Sequence, residues 1–554
     1  MPVKKSSFSF SKSFFITLAI VILLVLAGLL VWNLFKYRFI KDKVKSAVYE
    51  KTNGLYTIRY DKMDLDEAGG YLHVTNLHIM PDTAQFRNMI RGKKNPPLVV
   101  ELTVPELTVA GVKTPAALIN KKVNGRRVEI KNASVVFFFA KAPPDTTGGA
   151  PKQEIYRQLL GSLNEIQVDS VEITEVKLSF ISMFSGSKTI AASGISVHLQ
   201  DVLIDSLHGD DSSRFFFSKH VQAEADTALV KNREENYFYH FNGLSFNSNG
   251  GRFSVKRLQV LPQQSEAKYA ANEGIQKDRF NVDVKNISLK HLNLARLMQA
   301  ELVADSLDIA DVMLKVYRDR SYPGDKKSKV GQFPQQLLMK APLLISVNKV
   351  IVRDAFIEYK EKNPKSDYNG KVQFEHANAV ISNISNDPLR VKSSNQCRLS
   401  FNASFLGMAA MHADINMFLG NSQGKFLFSG SMKGFDAVKL NELIEPMGLA
   451  RIEKGKVNSV QFNFSGHNYG SDGKLTLLYE DLKLTLLKKD SADNQLEKKK
   501  LASFVANLVV KNANPLRKQP VRVAAVHYVR DPDKSFFNLM WKSVFTGVKQ
   551  SAGM

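Results

Sequence analysis

Few residues in this chain combine type and spacing in a way that could do chemistry. Gly420-Asn-Ser-Gln-Gly-Lys-Phe426 carries the glycines and the lysine of a loop that cradles phosphate on backbone N–H groups. It is one residue short before the lysine, and Phe426 stands where a Ser or Thr hydroxyl would hold magnesium. A hairpin turn is the expectation there. Cys397 is the only cysteine, which excludes an intramolecular disulfide, a Cys-x-x-Cys redox pair and a thiolate zinc cage. Between Gln396 and Arg398 it reads as incidental rather than nucleophilic. The 11 histidines are dispersed, and His73 and His78, in a strand-like run, read as surface residues rather than ligands. No Gly-x-Ser-x-Gly nucleophile elbow occurs. Carboxylates alternate with Lys and Arg as on solvated strand faces. No catalytic, cofactor or metal residue is assigned, and the chain reads as non-enzymatic.

Charge sets the next bound. With 76 Lys and Arg against 53 Asp and Glu the net charge is +23, which favours an anionic partner, either a phospholipid surface or nucleic acid. The charge is spread along the chain, with one dense patch at Lys488, Lys489 and Lys498 to Lys500, and most of it reads as solvated strand faces and loop tips. Zinc-finger and RNA-recognition signatures are missing, so no nucleic-acid partner is expected.

The first element is an anchor. Phe14 to Phe35 holds 22 residues and no charge. As a helix rising ~1.5 Å per residue it spans the ~30 Å hydrocarbon layer. A cleaved signal peptide would have an apolar core of only about 7–15 residues and a small-x-small cleavage site. This run is longer and ends in Trp32, Phe35, Tyr37 and Phe39, an interfacial aromatic belt. An uncleaved transmembrane helix is expected, marked by Phe14, Leu24, Trp32 and Phe35. Lys4, Lys5 and Lys12 precede it while Lys36, Arg38, Lys41, Lys43 and Lys45 follow, so charge alone does not fix its orientation. Ile40, Val44 and Val48 then recur every four residues, giving an amphipathic helix that stops at Gly54.

From about Leu55 the pattern becomes two-residue alternation broken by turns. Leu72–Ile79 and Phe253–Val260 read as strictly alternating strands, and Val457 to Phe464 does so in part. Glu67–Gly70 and Asn247–Gly251 read as hairpin turns. A ten-residue signature occurs at Val128–Phe137, Val171–Phe180, Leu307–Val316 and Val350–Tyr359. Apolar residues fill its first, third, sixth, eighth and tenth positions. The parity switches around the fifth, at Asn132, Glu175, Asp311 and Asp354, where a β-bulge would keep one face apolar. Copies start 43 residues apart, at 128 and 171 and again at 307 and 350. Helical spacing precedes them at Ile155–Leu163, Leu294–Met298 and Pro334–Met339, with Pro334 suited to a first turn. Val438–Met447 repeats the idea before a weaker run at Ile452 to Phe464. The unit is thus a short helix followed by several antiparallel strands, which stack into an elongated architecture. A string of β-sandwiches would alternate alike and stays open. Val128, Ile130, Val171, Ile173, Leu307, Ile309, Val350 and Val352 are the candidate groove-lining residues.

Towards the C-terminus, Gly473–Leu487 reads as a strand pair, Lys488–Lys500 as a flexible loop, and Leu501–Val510 and Val521–Val529 as strands. Phe536, Phe537, Met540, Trp541, Val544, Phe545 and Val548 form an apolar stripe on a terminal helix, expected to cap a β-core rather than to touch a membrane or partner.

Anchor, amphipathic helix, Gly54-Leu-Tyr-Thr-Ile58, the strand repeats, Pro334–Tyr359 and Phe435–Leu487 together resemble the AsmA-like family of bacterial envelope proteins, relatives of bridge-like lipid-transfer proteins. The resemblance implies an inner-membrane anchor, a cytoplasmic tail at 1–13 and a β-structure in the periplasm. It also implies a groove that shields acyl chains while headgroups stay wet, hence transfer of phospholipid or other lipid towards outer-membrane assembly or homeostasis. Partners would be membrane phospholipid and an envelope or outer-membrane protein; no cofactor is implied. The expected fold is mainly β: transmembrane helix 14–35, juxtamembrane helix 36–54, and an elongated, curled antiparallel groove of repeated units at 55–434. An AsmA-like β-region at 435–534 and an amphipathic helix at 535–554 complete it. About 25 strands at ~4.8 Å would give a groove of roughly 120 Å. Two other readings stay open: an envelope assembly factor that carries no lipid, and a basic surface or nucleic-acid-binding protein.

Overall fold

The computed structural model describes Tyr49, Thr52 and residues 54–66, 68–91, 99–112, 121–139, 164–183, 185–205, 211, 213–215, 217–231, 236–364, 368–448, 450–489, 496–498 and 510–554. Among these, 62% are in strands and 14% in helices. The expected anchor at 14–35, most of the helix at 36–54, the helical segment at 155–163 and most of the 501–510 strand lie outside the described residues. No helix among the described residues is long and apolar enough to cross a membrane. The chain divides into two compact units, one reaching Lys256 and taking in Leu294–Ala300, the other comprising Arg257–Asn293 and Glu301–Met554.

The first unit contains β1 (Tyr56–Arg59), β2 (Lys62–Asp66), β3 (Tyr71–Pro81), α1 (Thr83–Arg91), β4 (Val99–Ala110), β5 (Lys122–Lys131), β6 (Ser134–Phe139), β7 (Glu165–Ser182), β8 (Lys188–Asp205), β9 (Ser218–Lys231) and β10 (Tyr237–Asn247). β3 pairs with β1, β2 and β4, all antiparallel. β4 pairs in turn with β5 and β6. β7 to β10 continue as antiparallel neighbours. Gly70 (φ 66°), Gly250 (φ 76°) and Gly251 (φ 54°) make the two turns read from sequence.

Two expectations need correction here. β5 and β6 pair with β7 in parallel, not antiparallel, with Val128 beside Val171 and Ile130 beside Ile173. The sheet is therefore mixed. Leu72–Ile79 does not alternate strictly either: Asn76 sits at φ 51°, and Leu72, Val74 and Leu77 are all fully buried. A left-handed residue between Val74 and Leu77 turns both apolar pairs to one face. The same device is present at Asn132 and Glu175, with φ of 57° and 58°. In β7 it places Val176, Leu178 and Phe180 on the same buried side as Val171 and Ile173.

The strand β11 (Arg252–Pro262) carries the chain into the second unit, and its central Lys256 and Arg257 are both exposed, so this run also switches parity rather than alternating strictly. There follow α2 (Glu266–Glu273), β12 (Arg279–Lys290), β13 (Glu301–Asp319), α3 (Pro334–Met339), β14 (Leu344–Lys362), β15 (Asn369–Ser385), α4 (Pro388–Ser393), β16 (Gln396–Phe405), β17 (Ala409–Phe418) and β18 (Phe426–Asp436). After them come α5 (Asn441–Gly448), β19 (Ala450–His467), β20 (Gly470–Lys489), β21 (Leu496–Lys498), β22 (Val523–Val529) and α6 (Phe536–Ser551). Strands β12 to β20 are joined in sequence order, with β13–β14 parallel and the other pairs antiparallel. β22 pairs with β20.

Gly473–Leu487, read as a strand pair, is one long strand. Asp481 adopts φ 54° as a bulge within it rather than as a turn. The stretch read as a loop at 488–500 contributes β21, which pairs back on Leu487–Lys489.

Candidate apolar trough

The candidate site is a surface. On β12 the residues Phe280, Val282, Val284 and Leu289 lie beside Val316, Leu314, Val312 and Leu307 of β13. Those four lie beside Tyr359, Ile357, Ala355 and Val350 of β14. They in turn lie beside Val372, Phe374, Ala377 and Ile381 of β15. Phe405 and Leu399 of β16 continue two of these rows. Five strands at about 4.8 Å spacing make an apolar face roughly 20 Å across. Strands β12 to β15 each have a bulge in the same place, while β16 alternates without one. Asn286, Asp311, Asp354 and His376 take φ of 54°, 49°, 49° and 50°. Their shared line across the sheet switches the parity of all four strands together, and His376 Nδ1 bonds Asp354 Oδ1 at 2.9 Å along it.

Beside this line the inward residues shrink to alanine. Ala355, Ala377 and Ala403 are buried, and Val312, Val352, Ile357, Phe374 and Phe401 pack around them only partly buried. Phe280, at the end of one row, is 41% exposed. The other side of the same strands is ionic. Lys290 reaches Asp308 at 2.7 Å, and Arg353 reaches it at 3.3 Å. The Lys290 ammonium holds the Asp308 carboxyl below its ordinary range. Asp283 is likewise held down by Arg257 at 2.8 Å. One face is thus apolar and half-open, the other wet and charged.

The apolar rows end in a polar group at one end of β13 and β14. Arg318 donates both arms to Asp278 at 2.7 Å. Glu361 accepts from Tyr359 at 2.6 Å and from Arg320 at 3.1 Å. Burial first, then the carboxylate of Glu361, pushes the Tyr359 hydroxyl far above its usual range, the opposing pull of Arg318 notwithstanding. It therefore donates to Glu361 as a neutral phenol. Here α5 packs beside β15: a Cβ on Gly370 would lie 2.3 Å from Met447 Cγ, so a larger residue there would have to displace the Met447 side chain. Sequence reasoning missed these charged residues. Arg318 and Glu361 occupy the apolar parity of their strands, 11 positions after Leu307 and Val350, and a charge at that parity was the available signal.

Beyond β16 the same face is sealed. Phe426, Phe464, Leu475, Leu539 and Phe333 are at most 1% exposed in one core that draws on β16 to β20, β22, α3 and α6. Phe333, Phe426 and Phe536 meet edge-on, with centroids 4.7–5.7 Å apart. The glycine-rich run at 420–426 is the hairpin turn expected between β17 and β18, with Gly420 and Gly424 at positive φ. Gln335 and Gln336 of α3 donate to its carbonyls at Gly424 and Ser422. Cys397 lies in this core, and burial pushes its thiol up to about 11.

No family model and no curated protein matches the chain.

The candidate lining residues divide between the two units. Val128, Ile130, Val171 and Ile173 pair side by side but are at most 1% exposed, inside a sealed interior. Leu307, Ile309 and Val352 are half-buried on the open face, with Val350 buried among them. His73 and His78 bond Thr108 and Thr103 across β3–β4 at 3.1 Å each. Among the described residues no group of three His, Cys, Asp or Glu could hold a metal.

The terminal stripe also divides. Met540, Val544 and Val548 pack on the core, whereas Phe537, Trp541 and Phe545 face outward. The closest approach is made by small residues, since a Cβ on Gly547 would lie 2.7 Å from Leu475 Cβ. Ser543 sits on the same buried line, and hydrophobic spacing does not register either residue.

Proposed function

We propose that this protein is a non-enzymatic, lipid-handling component of the bacterial envelope, anchored by residues 14–35, with its β-structure in the periplasm. It would shield the acyl chains of phospholipid or another lipid on the open face of β12–β16 and pass them towards the outer membrane. The carrying observation is the one-sided apolar face at Val312, Leu314, Ile357, Phe374 and Phe401, half-buried with an ionic surface behind it. Each CH₂ laid against such a face contributes about 0.8 kcal/mol without any polar contact. Binding is then strong in sum and unspecific at each point, as movement along a surface requires. The AsmA-like resemblance of the sequence points the same way. A second reading, an envelope scaffold that carries no lipid, draws on the sealed rows at Val128, Ile130, Val171 and Ile173.

A photo-reactive phenylalanine analogue placed at Leu314, and separately at the outward Lys315, separates the two. Irradiation of bacteria making the full chain should attach lipid at 314 and not at 315. Equal labelling at both positions, or none at either, leaves the scaffold.

A further inference from the structure

We propose that the outward row of α6 docks this chain on the surface of an anionic lipid bilayer. The helix is fixed in rotation by its inner line. Phe536, Leu539, Ser543, Gly547 and Ser551 are buried, and the Ser543 hydroxyl meets that of Ser471 at 2.6 Å. What faces outward is therefore set by the fold. Phe537, Trp541 and Phe545, each four residues from the next, are 67%, 44% and 44% exposed. Spaced so, they stack along one side of the helix over two turns. The Trp541 and Phe545 rings lie stacked at 6.2 Å with 15° between their planes. Three large aromatics in one exposed row form a contiguous patch, unlike the scattered apolar residues of an ordinary surface.

The charge around the row names the partner. Lys542 and Lys549 each hold their ammonium 5.9 Å from the Phe545 ring, one on either side of it in sequence. From Lys534 to Met554 there is no Asp or Glu, and Lys534, Lys542 and Lys549 are the charged side chains. Rings that are apolar in body and polarisable at the rim, flanked by lysines, suit the boundary between acyl chains and anionic headgroups. The core of a protein interface excludes lysine, which argues against a protein in this place. A second copy of a chain with net charge +23 would meet like charge. The inference is independent of whether β12–β16 carries lipid, because it needs only a membrane facing α6.

The sequence supplies its own probe, since Trp32 and Trp541 are its two tryptophans. In Trp32→Phe the full chain, held in phosphatidylcholine nanodiscs, keeps Trp541 as the sole emitter. Vesicles containing brominated phosphatidylglycerol should then quench Trp541, with affinity falling about tenfold or more in about 0.5 M salt. Vesicles of brominated phosphatidylcholine alone should quench little. Phe537→Ser/Phe545→Ser, both at exposed positions, should weaken the quenching about tenfold while leaving the unfolding midpoint unchanged. Lys542→Glu/Lys549→Glu should remove the preference for the anionic vesicle. The proposal is overturned if no vesicle quenches Trp541, if uncharged vesicles quench equally, or if the serine variant quenches as before. Concentration-dependent dimerisation that shields Trp541 with no vesicle effect also overturns it, assigning the row to a second copy.

Discussion

Leu307 lies beside Val350 in two neighbouring parallel strands, and the offset of 43 residues holds at every paired position from Glu301 with Leu344 to Asp319 with Lys362. The same offset joins Lys122 to Glu165 and Ser134 to Lys177 in the first unit. Repeated strands therefore dock against their own copies. Their bulges must coincide for the ladder to stay in register, and Asp311 meets that demand at Asp354. A parallel neighbour needs a crossover, and in the second unit the chain from Arg320 to Leu343, with α3 inside it, provides one.

That pairing can be trapped chemically. Asn348 Nδ2 donates to Asp305 Oδ1 at 3.1 Å across the parallel pair, and both side chains are exposed. In a Cys397→Ser background, Asp305→Cys with Asn348→Cys should form a disulfide under mild oxidation, read as a mobility shift reversed by reductant. An antiparallel arrangement of the two copies would place these residues far apart and give no cross-link.

The bulge line predicts an asymmetric substitution pattern. Asp354 stands at φ 49°, where a β-branched side chain is strained and glycine is not. Asp354→Val should cost roughly 1–3 kcal/mol, seen as a lower urea midpoint. Asp354→Gly should cost less, the remainder reflecting the lost bond to His376. Equal losses would mean that backbone conformation is not what the position selects.

How far the sequence reveals this depends on which physical signal each feature leaves. Bulges at Asn132, Glu175, Asp311 and Asp354 were legible because a parity switch in apolar spacing has one economical backbone solution, and all four residues take it. A further parity switch, between Val168 and Val171 in β7, has no left-handed residue in that strand. It escapes a template that begins at Val171. Strand direction leaves no mark, since parallel and antiparallel neighbours alternate alike, which is why β13–β14 was misread. Nor does spacing separate Val171, fully buried, from Val352, half-open. Exposure depends on what packs opposite. Arg318 and Asp278 are joined only by the fold, 40 residues apart.

Cys397 gives a pH-dependent test of the sealed core. Its thiol is pushed from 9.0 to about 11 by burial alone. A raised folded value means that the neutral thiol is favoured in the fold. That stability is complete below the unfolded thiol's value of 9.0 and is lost as pH climbs through about 11. A thiol reagent at about pH 8 should therefore modify the unfolded chain and spare the native one. Cys397→Ala should flatten the fall in unfolding midpoint between about pH 9 and 11. Rapid labelling of the native protein would show that β16 opens to solvent.

The most direct test of the trough places charge where an acyl chain would lie. Ile357 and Phe374 face each other across β14–β15, both half-buried beside the alanine row. A lysine at either position can extend its ammonium into the open space, so the fold should tolerate it. Any acyl chain passing there would meet an unpaired charge and would have to leave it desolvated. Ile357→Lys and Phe374→Lys should thus cut photo-attached lipid at Leu314 by about tenfold, with the unfolding midpoint lowered only modestly. Glu358→Lys, whose outward partner is Gln373 at 2.8 Å, should leave lipid attachment unchanged. If all three variants behave alike, the inward face does not distinguish itself from the outward one, and acyl chains do not lie along it.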